Sequence, residues 1–445
     1  MRISFIGLGY VGLTTAACFA SKGHKILCYD VDKEKIARIR KGEPPFYEPG
    51  LDELLKQGLE KENITVVEDI EEAVEKSGIT FITVGTPAGE DGEIDLSQVR
   101  EASKNIGYAL RRKDKWHLVV VKSTVTPKTT EYVIKPLLET CSGKKCGVEF
   151  GLCVNPEFLR EGNAVEDTMN PDRVVIGEAD ARSGDFLEAF YREFYGDKLP
   201  PVIRTTPVNA ELIKYANNAF LAMKVSFINM IANLCQTLPN ADVEEVAKGI
   251  GLDKRIGNLF LKAGAGWGGS CWPKDLKALS TSARKIGVEL PLIDATIKIN
   301  ETQPVKLVDL AEKLLGSLEG KTAAILGLAF KPGTDDTREA VSIKIINTLL
   351  KRGAHVRTHD PKAIDNTRKI IGDKIEYVNN PLECIKDADV AILVTEWPEF
   401  KNLKPEDFKR LLKTPCVIDG RRIYDPRLFK EAGIKFTAVG LGPSR

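Results

Sequence analysis

Residues Arg2 to Asp32 read RISFIGLGYVGLTTAACFASKGHKILCYDVD, and this stretch decides the fold. Arg2–Ile6 is a short β-rich run. GLGYVG then places Gly7, Gly9 and Gly12 in a G-x-G-x-x-G pattern. Leu13–Ala20 is a small-residue helix ended by Gly23, and Lys25–Tyr29 is a second strand. Asp30 stands directly after that strand. The glycines differ in what they permit. Gly7 allows the tight turn, Gly9 lets backbone approach a pyrophosphate, and Gly12 lets helix pack on strand. The helix N-terminus faces the phosphates, and Tyr10 and Val11, between the glycines, are counted with Gly7, Gly9 and Gly12 as cofactor-binding. Asp30 would accept hydrogen bonds from ribose hydroxyls, which favours NAD over NADP. The bland alternative is the same fold with an empty site. The uncharged run Ile3–Ala20 behind Arg2 imitates a signal peptide. Its glycine-rich middle and the elements that follow argue otherwise.

Working outward, GITFITVGTP and HLVVVKSTVTP are buried strands that put Thr86 and Thr124 beyond their C-terminal ends. That edge is where open α/β sheets bind ligands. FGLCVNPEFLREG is another strand whose end delivers Asn155, Glu157 and Glu161, and Arg173–Gly177 is a further short one. Pro207–Leu238 has no glycine and no internal proline, so it reads as one long helix. Lys214 and Asn218 share a face of it, either as site residues or as part of a solvated stripe. Shorter helices are expected over Asp242–Ile250 and Leu276–Ile286. Between them GAGWGGSCWPKD (Gly264–Asp275) sets four glycines around Cys271. An isolated cysteine is usually a small buried hydrophobe; in this loop it reads as a nucleophile, with the glycines leaving room for a substrate.

The strand–turn pattern restarts near Lys321: KTAAILGLAFKPGTDD, a helix Val341–Arg352, HVRTHDP, ADVAILVTEW and TPCVIDGRR. This is a second doubly wound domain, with Asp360 standing where Asp30 stands. It lacks G-x-G-x-x-G, which suggests a nucleotide-type ligand held differently rather than a second NAD. The expected architecture is α/β: a Rossmann domain over residues 1–200, a central helical domain over 201–300 with the cysteine loop and a dimer surface, and a Rossmann-like domain over 301–445.

Composition narrows the function. With 64 basic and 63 acidic residues the formal charge is +1, which gives no electrostatic case for nucleic acid or an anionic membrane. Arg111-Arg112-Lys113 reads as a solvated helix end. Nine cysteines without zinc or disulfide-framework spacing point to a reducing cytoplasm, with the pairing of Cys141 and Cys146 left open. Four histidines form no metal pattern.

The motifs GLGYVGL, KSTV (Lys122–Val125), NPEFLREG (Asn155–Gly162), PDRVVIG (Pro171–Gly177), ELIKYANNAFLAMKVSFINMIA, RIGNLFLKAGAGWGGSCWPKD, AFKPGTDDTRE and IDGRR together resemble the UDP-glucose/GDP-mannose dehydrogenase family, nearly end to end. NPEFLREG and GAGWGGSC look like its UDP-glucose branch. The resemblance implies a double oxidation of a sugar-nucleotide alcohol to a carboxylate, with two NAD reduced, by a homodimer joined through the central domain. It also implies roles. Asp275 with Thr124 and a water takes the first proton; Lys214 and Asn218 steady the oxyanion. Cys271 forms a thiohemiacetal and then a thioester, and Glu157 is the candidate base for hydrolysis. Glu157, Phe158, Leu159, Arg160 and Glu161 would line the sugar-nucleotide site, with Glu161 reaching the NAD side. Phe260, Leu261, Lys262, Ala263 and Gly264 would wrap the uridine and diphosphate, beside Gly268, and Lys331 would meet the glucose hydroxyls. Arg255 would reach the neighbouring subunit's ligand. Arg338 and Lys274 would touch NAD, with Lys35 near the ribose and Thr86 at the same sheet edge. Trp272 stands where the family more often has Phe or Leu.

Taken singly, Glu157 also reads as a turn cap and Asp275 as the N-cap of a helix beginning at Leu276. Rival functions are a GDP-mannose or other UDP-hexose dehydrogenase, a two-electron hydroxyacid dehydrogenase, and a non-catalytic NAD-binding protein.

Overall fold

The computed structural model describes residues 1–89 and 92–443. The chain forms two compact units, Met1–Asn217 and Asn218–Arg445. The boundary falls within a single helix, Pro207–Cys235.

The first unit is built on eight strands: β1 Arg2–Ile6, β2 Lys25–Tyr29, β3 Ile64–Val66, β4 Ile79–Ile82, β5 His117–Val121, β6 Phe150–Val154, β7 Val174–Glu178 and β8 Val202–Thr205. Their order in the sheet is β3-β2-β1-β4-β5-β6-β7-β8. Six strands run parallel in the doubly wound order; β7 then pairs antiparallel with β6, and β8 parallel with β7. The strands are hydrophobic on both faces because helices cover both. One covering core stacks Phe5 on Phe81 at 5.0 Å and sets Phe19 edge-on to Phe190 at 4.9 Å. The other gathers Val99, Ile106, Leu110, Ile134 and Leu138.

The second unit holds six parallel strands: β9 Thr322–Leu326, β10 His355–His359, β11 Glu376–Tyr377, β12 Val390–Leu393, β13 Cys416–Asp419 and β14 Lys435–Ala438, in the order β11-β10-β9-β12-β13-β14. This repeats the doubly wound order of the first unit. A single apolar core joins the sheet to Ile228, Ala232 and Cys235 of the long helix and to Leu307, Val308 and Ala311 of a helix over Pro291–Leu315.

Three differences from the sequence reading have physical causes. The Pro291–Leu315 helix has no counterpart in that reading, because Pro304 and the polar pair Asn300 and Gln303 interrupt its apolar period. The cysteine-loop helix begins at Trp272 rather than at Leu276, with Pro273 in its first turn, where the missing N–H costs nothing. Lys113 is not solvated. Its ammonium donates to the carbonyls of Val74 at 2.6 Å, Glu75 at 2.8 Å and Ser77 at 2.6 Å. It thereby closes the C-terminus of the helix Ile70–Glu75, where a cation suits the last carbonyls. The long helix ends at Cys235. It alone among the described residues is long and apolar enough to cross a membrane, a test that core helices of soluble proteins also pass. No disulfide joins any of the nine cysteines, Cys141 and Cys146 included.

Candidate active site

In the first unit the glycine turn leaves β1 and enters the helix Tyr10–Ser21. Gly7 has φ +98°, and a Cβ there would lie 2.7 Å from the Val84 backbone. A Cβ on Gly12 would lie 2.0 Å from the Gly7 carbonyl, so helix and turn touch through bare backbone. Gly9 differs: a Cβ there would meet nothing within 4 Å, and as N-cap it has no side chain to satisfy the first-turn N–H groups. An open space faced by such N–H donors suits a pyrophosphate. Asp30 follows β2 with its carboxylate accepting from Leu8 N–H at 2.6 Å and Lys35 Nζ at 2.8 Å. The strand-end acid is thereby tied to the turn, with Lys35 beside it.

The same construction recurs in the second unit. Gly327 has φ +104° and its N–H meets His359, as Gly7 meets Tyr29. Asp360, however, accepts from Leu328, Ala329, Lys362 and Ala363 N–H groups and from Trp397 Nε1, all within 3.0 Å. The carboxylate is 2% exposed. Five donors saturate it, so it locks the fold rather than holding a ribose.

The segment after β6 is held from several sides. Tyr10 Oη accepts from Gly162 N–H at 2.6 Å, and Glu48 accepts from Gly162 and Ala164 N–H groups at 2.6 and 2.7 Å. Glu157 pairs with Lys214 at 2.7 Å, with both side chains 5% exposed. Burial pushes the Glu157 carboxyl up, but the Lys214 ammonium and the Leu159 N–H overcome it and hold the group below the usual range, as an adjacent cation and hydrogen bonds to a carboxylate should. Lys122 stands nearby, donating to Asn155 Oδ1 at 2.9 Å, and burial lowers its pKa to about 8. Phe158 lies under Arg173, whose guanidinium carbon is 3.8 Å from the ring centre. Arg160 turns outward into a fork with Asp167, while Glu161 is buried. Thr86 and Thr124 are half-buried, beyond the ends of β4 and β5.

In the second unit Cys271 is the N-cap of the helix Trp272–Lys285. Ser270 Oγ lies 3.5 Å from its sulfur. One turn on, Asp275 is 1% exposed and accepts from Asn218 Nδ2 at 2.8 Å and Lys274 Nζ at 2.7 Å. Asp275 is therefore not the N-cap expected from sequence. The long helix carries both Lys214, in the first unit, and Asn218, in the second, one turn apart.

The loop glycines lie against neighbouring chain. A Cβ on Gly268 would lie 2.3 Å from the Glu339 carbonyl, one on Gly269 2.9 Å from the Phe330 ring, and one on Gly264 3.0 Å from the Gly420 carbonyl. The sequence pattern signals close approach; the approaching atoms are protein.

Several residues absent from the sequence reading fix this loop. Asn229 Oδ1 accepts from Gly264 N–H at 2.8 Å, Gln303 donates to Gly264 O at 2.9 Å, and Asn300 bonds both the N–H and the carbonyl of Trp267 at 2.8 Å. Arg421, in IDGRR, donates to Gly266 O at 3.2 Å. For the three amides the signal was a polar side chain on a helix, Pro207–Cys235 for Asn229 and Pro291–Leu315 for Asn300 and Gln303.

Other expected ligand residues are scattered in their immediate partners. Phe260 has φ +64° and its ring stands 6.0 Å from that of Trp272, which is itself 6.0 Å from Trp267. Leu261, Ala263 and Gly264 are buried, while Lys262 is exposed. Lys331 lies against the Phe330 ring, Arg338 forks onto Asp336, and Arg255 is 88% exposed and paired with Asp253.

Glycine turn, helix N-terminus and strand-end acid define the first unit as a dinucleotide-binding α/β fold. Three domains of one family match along the chain: the NAD binding domain of the UDP-glucose/GDP-mannose dehydrogenase family over residues 1–195, its central domain over 208–302 and its UDP binding domain over 324–426. The chain belongs to this family, and NAD is its cofactor. It is 43% identical to UDP-glucose 6-dehydrogenase TuaD of Bacillus subtilis over 99% of this chain and 93% of that one. It is 44% identical to UDP-glucose 6-dehydrogenase AglM of Haloferax volcanii over 96% of this chain and 98% of that one. Among solved structures, a UDP-glucose dehydrogenase from the hyperthermophilic archaeon Pyrobaculum islandicum superposes with a TM-score of 0.90 at 40% identity, covering 100% of this chain and 97% of that one.

Proposed function

We propose that this chain oxidises the C6 alcohol of UDP-glucose to the carboxylate of UDP-glucuronate through a covalent adduct on Cys271. NAD, held by Gly7, Gly9, Gly12, Asp30 and Lys35, supplies the hydride acceptor for both oxidations. Asp275, kept oriented by Asn218 and Lys274, takes the hydroxyl proton through water with Thr124. Lys214 and Asn218 offer donors to the oxyanion; losing one such donor typically costs about 100- to 1000-fold in rate. The Cys271 sulfur adds to the aldehyde carbon, the adduct loses a second hydride to become a thioester, and water displaces the sulfur to give the acid. Glu157, held ionised beside Lys214, is the base for that water. The N-cap position favours negative charge on the sulfur.

The observation that carries this reading is the thiol at a helix N-cap with the Asn218–Asp275–Lys274 network one turn away, on a chain whose whole length matches UDP-glucose 6-dehydrogenases. Residues 1–200 are assigned to NAD, 201–300 to the thiol and dimerisation, and 301–445 to the UDP-sugar. A homodimer is supported by Phe220, Phe227 and Leu234 of the long helix, which are 59%, 44% and 55% exposed. Their heptad spacing sets them in one apolar row that a second copy could cover. Nine cysteines without a disulfide fit a cytoplasmic setting. The test is NADH yield from purified protein with UDP-glucose: two NADH and one UDP-glucuronate per sugar, and no acid from Cys271→Ser. Faster turnover of GDP-mannose, or full activity in the serine variant, would sink the reading.

A further inference from the structure

Glu211 is a buried carboxylate that the mechanism above does not use. It lies in the first unit, one helical turn before Lys214 on the helix Pro207–Cys235, and is 2% exposed. Its two oxygens divide their work: Oε2 accepts from Lys128 N–H at 2.7 Å and Oε1 from Thr130 N–H at 2.8 Å. These donors sit where the chain needs help. Lys128 has φ +78°, a conformation that a residue with a Cβ rarely adopts. Thr130 opens a π-helical turn, Thr130–Ile134, whose first N–H groups have no partner within the turn. The segment between β5 and this turn carries Thr124. At its other end Ser123 Oγ donates to Val84 O at 2.7 Å, and within it Thr126 and Thr129 share a hydroxyl bond at 3.1 Å. The Thr124 turn therefore hangs between two anchors, and one of them is a side chain of the helix that bears Lys214.

We propose that Glu211 is a positioning residue for the first oxidation, bracing the Thr124 turn against the helix that carries Lys214. The proposal rests on the function argued above. Truncating Glu211 releases two N–H groups and removes the brace from a strained turn; a displacement on the order of 1 Å of a reacting group costs about 100-fold in rate. Glu211 is placed against backbone rather than against substrate or cofactor, so the loss falls on kcat.

The experiment is a double-mutant cycle of Glu211→Ala and Thr124→Ala in the full-length protein with UDP-glucose and NAD, with hydrogen exchange at the Lys128 and Thr130 amides. Glu211→Ala is expected to lower kcat about 10- to 100-fold with both KM values within about threefold. The double variant is expected to be no slower than Thr124→Ala alone, and both amides to exchange faster. Glu211→Gln, which keeps one acceptor, should fall between; if the alanine variant does not fold, it carries the same cycle. Independent losses that multiply in the double variant, an unchanged kcat, or unchanged exchange would overturn the proposal. A wild type inactive on UDP-glucose removes the functional reading beneath it; an active wild type with multiplying losses removes the bracing role alone.

Discussion

Replacing Gly9 and Gly12 separately by alanine distinguishes a site for a ligand from a packing contact within one turn of chain. Gly9 has φ −74° and ψ −165°, a conformation alanine adopts, and its added methyl would meet nothing within 4 Å. Alanine is a poorer N-cap than glycine by several tenths of a kcal/mol, and the stiffer unfolded chain returns about 0.4–1 kcal/mol. The two offset, so Gly9→Ala is expected to keep wild-type stability within about 0.5 kcal/mol. Its methyl instead projects into the space assigned to the pyrophosphate, and NAD affinity should fall at least about tenfold, or about 1.4 kcal/mol. Gly12→Ala behaves differently. Its methyl would lie 2.0 Å from the Gly7 carbonyl and 2.7 Å from Thr83 Oγ1. Backbone must therefore move, at a cost of about 1–3 kcal/mol. Both its melting temperature and its NAD affinity should drop. Calorimetric titration with NAD and thermal melts of the unliganded proteins measure the two quantities. Wild-type NAD affinity in Gly9→Ala would refute the assignment of that space, and a lowered melting temperature in Gly9→Ala would refute its being open.

Three further outcomes follow, two from the site and one from the core of the first unit. With Glu157 as the proposed base for hydrolysis, Glu157→Gln is expected to spare the oxidations, so rapid mixing should show a burst approaching two NADH per active site and then slow turnover; equal slowing of the burst would reassign Glu157. Asn300→Asp sets a carboxylate oxygen against Trp267 O, where Nδ2 now donates at 2.8 Å. It should cost about 1–3 kcal/mol in denaturant unfolding and alter the alkylation rate of Cys271, which an unchanged rate would contradict. His117, fully buried with Nε2 2.7 Å from Thr80 Oγ1, has its pKa lowered by burial from the ordinary 6.5 to about 3. The unfolded chain thus binds the extra proton as pH falls through that window, and stability falls with it, by up to about 5 kcal/mol at the acid end. His117→Gln should flatten this loss in denaturant titrations carried down from neutral pH towards the folded-state pKa, and an unflattened profile would show that other groups govern it.

The β–turn–α start was legible because its constraints are local: Gly7 needs a positive φ and Gly12 meets the turn that precedes it, so spacing alone encodes them. The second unit shows where that logic stops. Asp30 and Asp360 occupy the same place in the two turns, yet one carboxylate has three donors and the other five. The difference comes from Trp397, 37 residues downstream, and from the backbone path after each strand. The cysteine loop divides along the same line. That something comes close to it was legible in its glycines. That its glycines face Glu339, Phe330 and Gly420 was not, since a glycine records that something comes close without recording what. Asn229, Asn300 and Gln303 were illegible because each bonds backbone far off in sequence, and a lone amide in an apolar helix reads the same whether it faces solvent or another loop. Glu211 belongs with them: its sequence neighbourhood marks a helix, and only the distant backbone of Lys128 and Thr130 gives its carboxylate a purpose. In this chain, then, the residues proposed to carry the chemistry announce themselves by type, whereas those proposed to aim it are ordinary polar side chains distinguished by the backbone they meet.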